Sequence, residues 1–574
     1  MPSPSSYFQA TNVTASTNNA INALLCGTKW GGALGSGVSM TYSFNSNQSY
    51  YTQNYSADRE YENAYLLNAN QQNNVKAALQ TWANVANLKF SQVTDSQAAA
   101  GDLRFAGYLG MTDANAWAYN PFEGAAGGDT WFSEDWGYDN DAAKGSYAYH
   151  TAIHEIGHAL GLKHSFDVEF TGATLPTSTD STRYTVMSYT HPFDYSPTSP
   201  MLYDILAIQY LYGKNTSYNS GNTTYSWAAG SKIFETIWDG GGVDTISASN
   251  QTSAVKLNLN SGQNSTIGSM INADLNNDGY WDNQGVNDLL YIAYGTTIEN
   301  AVGSGYNDTL IGNSVANILN GGGGNDTMSG GYGNDTYYVN SNGDTVIESA
   351  ESSMGGIDTV VVSTGSTLTL STWTLGAYQE NLIITGAASF NGTGNGLSNK
   401  LTGNSSNNIL KGEAGNDVLC GAAGNDSLYG GAGTDRFILD SLTGYDRIAD
   451  FSSGSEKVIC DNSSLGGIGD KDATLEGIAL RSSAGGFSKS AELLIFSSNI
   501  SGSISQTTAA AKIGSASSAY AVGDQRLFVV DNGTQTGLFL FKAGDADAAV
   551  ESTELKLLGL LNGQTGISDF LLQA

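Results

Sequence analysis

A nine-residue period constrains this chain more than any other feature. Glycine opens units at Gly303, Gly312, Gly321 and Gly330, and after a spacer (339–393) again at Gly394, Gly403, Gly412, Gly421 and Gly430. The clearest units read GGGGNDTMS (321–329) and GGYGNDTYY (330–338). The sixth position is Asp at Asp308, Asp326, Asp335, Asp417, Asp426 and Asp435, and Asn at Asn317, Asn399 and Asn408. The eighth is a large apolar residue in every unit. A flexible glycine-rich linker has no need of an apolar stripe, so the pattern predicts stacked turns and short strands: a parallel β-roll with the apolar residue inside. Such turns present backbone carbonyls and a carboxylate. These are the hard oxygens that Ca²⁺ gathers in sets of about six to eight. The expected calcium ligands are therefore the six aspartates with the turn glycines Gly321, Gly323, Gly330, Gly412, Gly421 and Gly430. Units with Asn are expected to bind more weakly or only to cap the stack.

A second oxygen-rich run, DLNNDGYWD (274–282), has the first half of an EF-hand-like loop, with Asp274, Asn276 and Asp278 as candidate ligands. Gly285 stands where that loop would need its Glu. A calcium loop and an Asx-rich surface turn both remain open.

Charge excludes several functions. In 574 residues, 54 Asp and Glu outweigh 23 Lys and Arg, for a net charge of −31. Such a chain can hardly build the basic face that nucleic acid or an anionic membrane requires. Three cysteines, Cys26, Cys420 and Cys460, exclude a disulfide scaffold and a Cys-based zinc finger. No apolar run approaches a membrane span, and residues 1–20 hold neither a basic residue nor an apolar core, so no Sec-type signal is expected.

Residues up to about 235 read as an ordinary globular α/β or α+β domain. Helical spacing appears in Asn74–Val85, Ser146–Leu162 and Pro200–Tyr212, and strand-like runs in Met40–Phe44 and Leu103–Ala106. Four of the five histidines fall at His150, His154, His158 and His164, within HEIGHALGLKH and just before it. His154 and His158, four apart, share one helix face and can bind one ion. Glu155 sits where its carboxylate can take a proton from water at the metal. Gly161 is placed to turn the chain at positive φ and bring His164 back as third ligand. Three imidazoles leave coordination positions open, as catalytic rather than structural zinc requires. His150 reads either as a residue behind the ligands or as an ordinary helix-start histidine. His191 is assigned no role, and Cys26 reads as a buried small hydrophobe.

The spacing H-E-x-x-H-x-x-G-x-x-H and the later Thr185-Val186-Met187-Ser188-Tyr189 are similar to the zinc motif and Met-turn of metzincins. Together with the nonapeptides, Thr28–Gly31, Met40–Phe44, Gly101–Phe105 and Ala207–Gly213, the chain resembles the serralysins over about 20–450. The resemblance implies that Tyr189 ligates zinc in the resting site and swings away to stabilise the tetrahedral intermediate. It implies a hydrophobic floor from Met187, and it makes Asp244, in GGGVD, a further calcium ligand. Ser165 stands where the family commonly has Pro, which is expected to alter the following loop but not the ligands. The ending Asp569-Phe570-Leu571-Leu572 resembles an uncleaved type I export signal.

The expected organisation is a short propeptide or flexible segment (1–20), a metzincin-like zinc protease domain (21–235), a calcium-binding β-roll (236–440) and a β-rich region carrying the secretion signal (441–574). The expected function is a secreted, monomeric zinc endopeptidase with one catalytic Zn²⁺ and several structural Ca²⁺. Its expected partners are protein substrates, the type I apparatus and a proteinaceous inhibitor. The alternative is a secreted surface or adhesion protein with a vestigial protease domain, motivated by the long Ser- and Ala-rich tail.

Overall fold

The structure is a computed structural model that describes residues 8–573, except 53–54, 58, 97–99, 112–113, 135, 137–142, 277–279, 283–284, 349–354, 366–367 and 473. It divides into two units, one ending at Gly305 and the other beginning at Tyr306.

In the first unit, Asn68 and Gln71 cap a helix reciprocally: Asn68 Oδ1 accepts from Gln71 N at 3.0 Å and Gln71 Oε1 from Asn68 N at 2.8 Å. That helix, α1 (Ala69–Val85), starts five residues earlier than its apolar spacing predicts, and it buries Val75, Leu79, Trp82 and Val85 as predicted. A second helix, α2 (Tyr147–Ala159), begins at the N-cap Ser146 and carries the histidines. A third, α3 (Leu202–Tyr212), is apolar nearly all round. The strands β1 (Val38–Phe44), β2 (Ala64–Tyr65), β3 (Leu88–Gln92), β4 (Leu103–Tyr108), β5 (Ala116–Ala118) and β6 (Thr130–Ser133) form one mixed sheet in the order β3-β1-β4-β6-β5, with β2 also on β4. The pairings among β3, β1, β4 and β6 are parallel; β5 and β2 join antiparallel. Trp82 Nε1 donates to Ile153 O at 3.1 Å and ties α1 to α2 inside the core.

Two stretches behave otherwise than their composition suggests. Ala10–Asn12 pairs antiparallel with Thr28–Trp30, so the described part of 1–20 is held by a ladder. Beyond residue 235, Trp238, Ile271, Ala273, Leu289, Tyr291 and Ala293 join the same core as α1 and α2, and Asp288 holds Arg183 through two contacts, at 2.9 and 3.1 Å. The segment that reads as the start of the roll thus packs partly with the first unit's globular core.

The second unit opens as the expected parallel roll. Strands at 309–311, 327–329 and 345–347 pair in one sheet, and those at 318–320 and 336–339 in another. Each next strand in a sheet begins 18 residues on, so two nonapeptides make one coil. The eighth-position residues Leu310, Leu319, Met328, Tyr337, Leu401, Leu410, Leu419, Leu428 and Phe437 are wholly buried. The spacer does not interrupt the roll. Thr359–Ser363 pairs parallel with Thr336–Val339, Asn381–Thr385 with Thr359–Ser363, and Lys400–Thr402 with Asn381–Thr385. Further on, the strands at Gln525–Asp531 and Gln535–Lys542 form an antiparallel pair over an aromatic core containing Phe487, Phe528 and Phe541. The ending is not a loose tail: Phe570–Gln573 lies parallel to Lys457–Asp461, and the buried Asp569 accepts from Ser453 Oγ at 2.6 Å and Gly454 N at 2.9 Å.

Candidate metal centre

α2 presents His154 and His158 on one face, and Gly161 returns the chain. Its φ is +107°, and a Cβ there would stand 2.4 Å from Thr28 O, so both conformation and space demand glycine. His164 then meets the other two. His158 Nε2 lies 3.2 Å from His154 Nε2 and 3.1 Å from His164 Nε2. Nitrogens at tetrahedral zinc distances stand about 3.3–3.4 Å apart, so the three fit one ion. Each other ring nitrogen is committed. His154 Nδ1 donates to Val186 O at 2.7 Å, His158 Nδ1 to Leu162 O at 2.8 Å and His164 Nδ1 to Asp167 Oδ2 at 2.9 Å. These bonds fix the tautomer that leaves Nε2 bare for metal. Burial drives all three imidazoles below their ordinary pKa, His154 to about 4, so they are neutral ligands.

Glu155 is 5 % exposed and its Oε2 has no hydrogen-bond partner. Burial pushes its carboxyl up to about 8. Glu155 and Tyr189 both line the cleft on either side of the histidines: one side includes Asn115, Tyr147 and His150, the other Trp117, His158 and Asp167. The Tyr189 ring lies 4.4 Å from that of His164 and is 68 % exposed. Met187 is fully buried beneath α2, its Sδ 2.7 Å from where a Cβ on Gly157 would stand, which makes it the expected floor. Ser165, also buried, bonds Asp180 Oδ1, a contact proline could not make.

Other residues were not readable in advance. Asp167, three after His164, orients that ligand. Asp204 on α3 accepts from Val186 N at 2.7 Å, Thr185 Oγ1 at 2.5 Å and Met201 N at 2.8 Å, anchoring the segment that holds His154. His150 is buried in the cleft wall and stacks on His191, centroids 5.6 Å apart. Cys26 is only half-buried, its Sγ 3.5 Å from Thr28 O.

In the roll, the first-position glycine and the sixth-position aspartate explain each other. A Cβ on Gly321, Gly330, Gly412, Gly421 or Gly430 would stand 2.0–2.4 Å from Oδ2 of Asp326, Asp335, Asp417, Asp426 or Asp435 respectively. In each aspartate, Oδ1 accepts a backbone N–H from 18 residues earlier, while Oδ2 is buried without a partner. Orphaned, buried carboxylate oxygens suit a cation. Asn units differ: Asn408 Oδ1 accepts from Asn404 N at 2.9 Å and its Nδ2 donates to Phe390 O at 2.6 Å, so its amide needs no ion. Asp308 is buried in the same stack. Gly323 lies beside Gly321 in the turn and is half-buried. Asp244 has the same pattern as the repeat aspartates, with Oδ1 bonded to Thr223 N at 2.8 Å and Oδ2 orphaned. Around 274–282, Asp282 Oδ2 accepts from Leu275 N at 2.8 Å, closing a turn on itself, and Asp274 N donates to Pro192 O. Asn276 lies in that turn, and Asp278 lies outside the described residues.

A three-histidine centre with a buried carboxyl on a mixed sheet and three helices, joined to a parallel roll, defines a metzincin-type domain with calcium-binding repeats. Residues 45–213 match the Matrixin family, and four copies of the RTX calcium-binding nonapeptide repeat match 302–337, 311–346, 393–428 and 421–441. The chain is 34% identical to metalloprotease AprA of Pseudomonas entomophila over 282 residues, 43% of this chain and 54% of that one. It is 34% identical to serralysin A of Dickeya chrysanthemi over 269 residues (43% and 53%) and to a Photorhabdus laumondii serralysin over 273 (42% and 53%). It spans about half the length of these relatives. The chain has the build of a serralysin-type metzincin with RTX repeats.

Proposed function

We propose that this chain is a secreted zinc-dependent endopeptidase that hydrolyses peptide bonds in proteins, with Glu155 as general base. The observation that carries the reading is the buried Glu155 carboxyl, one oxygen unpartnered, beside three converged imidazole nitrogens in an open cleft. His154, His158 and His164 would hold zinc, which would supply Lewis acidity toward a carbonyl and toward water near neutral pH. Glu155 takes the proton of the attacking water and returns it to the departing amine. Tyr189 is assigned first as a zinc ligand of the resting site and then as a donor to the oxyanion. The clefts on both sides of Glu155 suit an extended peptide crossing the centre.

Calcium is assigned to the orphaned aspartate oxygens, including Asp244, with the turn carbonyls. We keep 1–20, 21–235, 236–440 and 441–574 as functional divisions, export by a type I apparatus that reads the C-terminal region, a monomeric state and sensitivity to a proteinaceous inhibitor. A vestigial domain would have lost a ligand or the Glu, and this one keeps all four. The test is casein hydrolysis: it should disappear with a zinc chelator and return with one equivalent of zinc. A stoichiometrically zinc-loaded protein inert toward casein and denatured proteins would overturn the reading.

A further inference from the structure

The spacer after the first repeat block contributes acidic residues that the nonapeptide pattern does not contain. Glu348 follows the strand Thr345–Ile347, and Asp358 precedes the strand Thr359–Ser363. With Asp335 of the last repeat before the spacer they form a group whose ligand oxygens all lie within 4.8 Å of one another.

The group is built, not incidental. Asp335 is 1 % and Asp358 2 % exposed. Asp335 Oδ1 accepts from Asn317 N at 2.7 Å, while Oδ2 is buried and unpartnered. Its direction is given by Gly330: a Cβ there would stand 2.0 Å from Asp335 Oδ2 and 2.2 Å from Tyr337 Oη. Tyr337 Oη accepts from Gly330 N at 2.8 Å and donates to Glu348 Oε1. The orphaned oxygen therefore shares one small space with the tyrosine that holds Glu348. Asp358 Oδ1 accepts from Asp335 N at 2.8 Å, and Asp358 N donates to Glu380 Oε2 at 2.8 Å.

Among the described residues no Lys or Arg forms an ion pair with Asp335 or Asp358. Three carboxylates so close repel unless a cation or protons sit among them. Burial pushes Asp335 to about 7, the charge of Asp358 adding to it, and Asp358 to about 6, the charge of Glu380 adding to it.

We propose that Asp335, Glu348 and Asp358 form a calcium site where the first repeat block joins the spacer, outside the nonapeptide pattern on two of its three side chains. The donors are all hard oxygens, which select Ca²⁺ over softer metals. The site lets the coil run on through a stretch without glycine turns. It rests on the calcium chemistry proposed for the repeats, not on the zinc centre.

The experiment uses the full chain and Glu348→Gln, which keeps the side chain's shape and acceptor for Tyr337. Bound calcium per chain is counted by elemental analysis after dialysis against low calcium, and melting is followed in calcium and in chelator. The expected result is one calcium fewer per chain, a smaller calcium-induced rise in melting temperature, and a melting temperature in chelator equal to or above that of the parent. Asp358→Asn should lose the same ion. An unchanged count in both variants overturns the site, as does Glu348→Gln melting lower by the same amount in chelator as in calcium, the mark of a purely structural bond. A parent chain that binds no calcium sinks the repeat reading with it, whereas a calcium-binding parent with unchanged variants sinks this site alone.

Discussion

His154 Nδ1 donates to the carbonyl of Val186 at 2.7 Å, so the first imidazole of the centre is aimed by the segment whose next residue, Met187, lies beneath it. That segment is held from the other side, because Asp204 accepts Val186 N at 2.7 Å. Asp204→Asn would set an amide donor against one of three donors. Losing such a supporting bond typically weakens metal binding about 10–100-fold. Chelator competition should show this for zinc, with wild-type affinity as the result that contradicts it. Stability should fall by about 1–3 kcal/mol.

Glu155→Gln keeps shape and all three imidazoles but cannot accept a proton. Zinc content should stay at one per chain while turnover falls at least ~100-fold. Near-normal peptide hydrolysis by that variant would remove Glu155 from the chemistry.

Tyr189 faces solvent on one side and the His164 ring on the other. As Phe it keeps the ring and loses the hydroxyl. Removing an oxyanion donor costs about 2.7–4 kcal/mol, so kcat should drop ~10²–10³-fold with KM little changed. Unchanged kcat with raised KM would make Tyr189 a wall of the pocket.

Asp129 gives a pH effect from a group that is not among the metal ligands. It is buried, it accepts from Tyr55 Oη at 2.6 Å and Arg104 N at 2.9 Å, and burial, opposed by the Arg104 charge, pushes its carboxyl up to about 7. A raised folded pKa means a contribution fully present below the unfolded value near 4 and lost as pH rises through about 7. Asp129→Asn abolishes that titration. Its stability relative to the parent should therefore improve between pH 5 and pH 9, by up to about 3 kcal/mol. A difference in denaturation free energy that is flat across this range would count against it.

The zinc motif was legible because its chemistry is local: His154, Glu155 and His158 on one helix turn, a glycine return and His164 need no knowledge of the rest of the fold. The repeat was legible because each glycine leaves the space that its own aspartate, five residues on, fills. Asp204, Asp167 and the His150–His191 stack were not, since their partners meet only through tertiary packing. The spacer lacks the glycine period, yet strands such as Thr359–Ser363 (TVVVS) carry enough β-branched surface to extend the sheet without it. The stretch after 235 was assigned by composition, which does not reveal that Trp238 and Ile271 join the first unit's core.

Calcium removal should act on the two units unequally. In the second unit, five repeat aspartates bury an oxygen that has no hydrogen-bond partner, and among the described residues no Lys or Arg forms an ion pair with them. Their glycine-rich turns are also entropically costly to order. Calcium answers both, so its binding free energy becomes folding free energy. In the first unit, α1 and α2 pack over an apolar core containing Trp82, Ile153 and Met187, which owes nothing to those turns. Hydrogen exchange on the full chain in chelator should therefore accelerate across 309–439 while α1 and α2 stay protected. Asp417→Asn gives the sign. An amide there can close on itself as Asn408 does, so the variant should melt higher than the parent in chelator and gain less on adding calcium. Equal protection of 309–439 with and without calcium, together with an unchanged calcium response in Asp417→Asn, would leave the roll a constitutive scaffold.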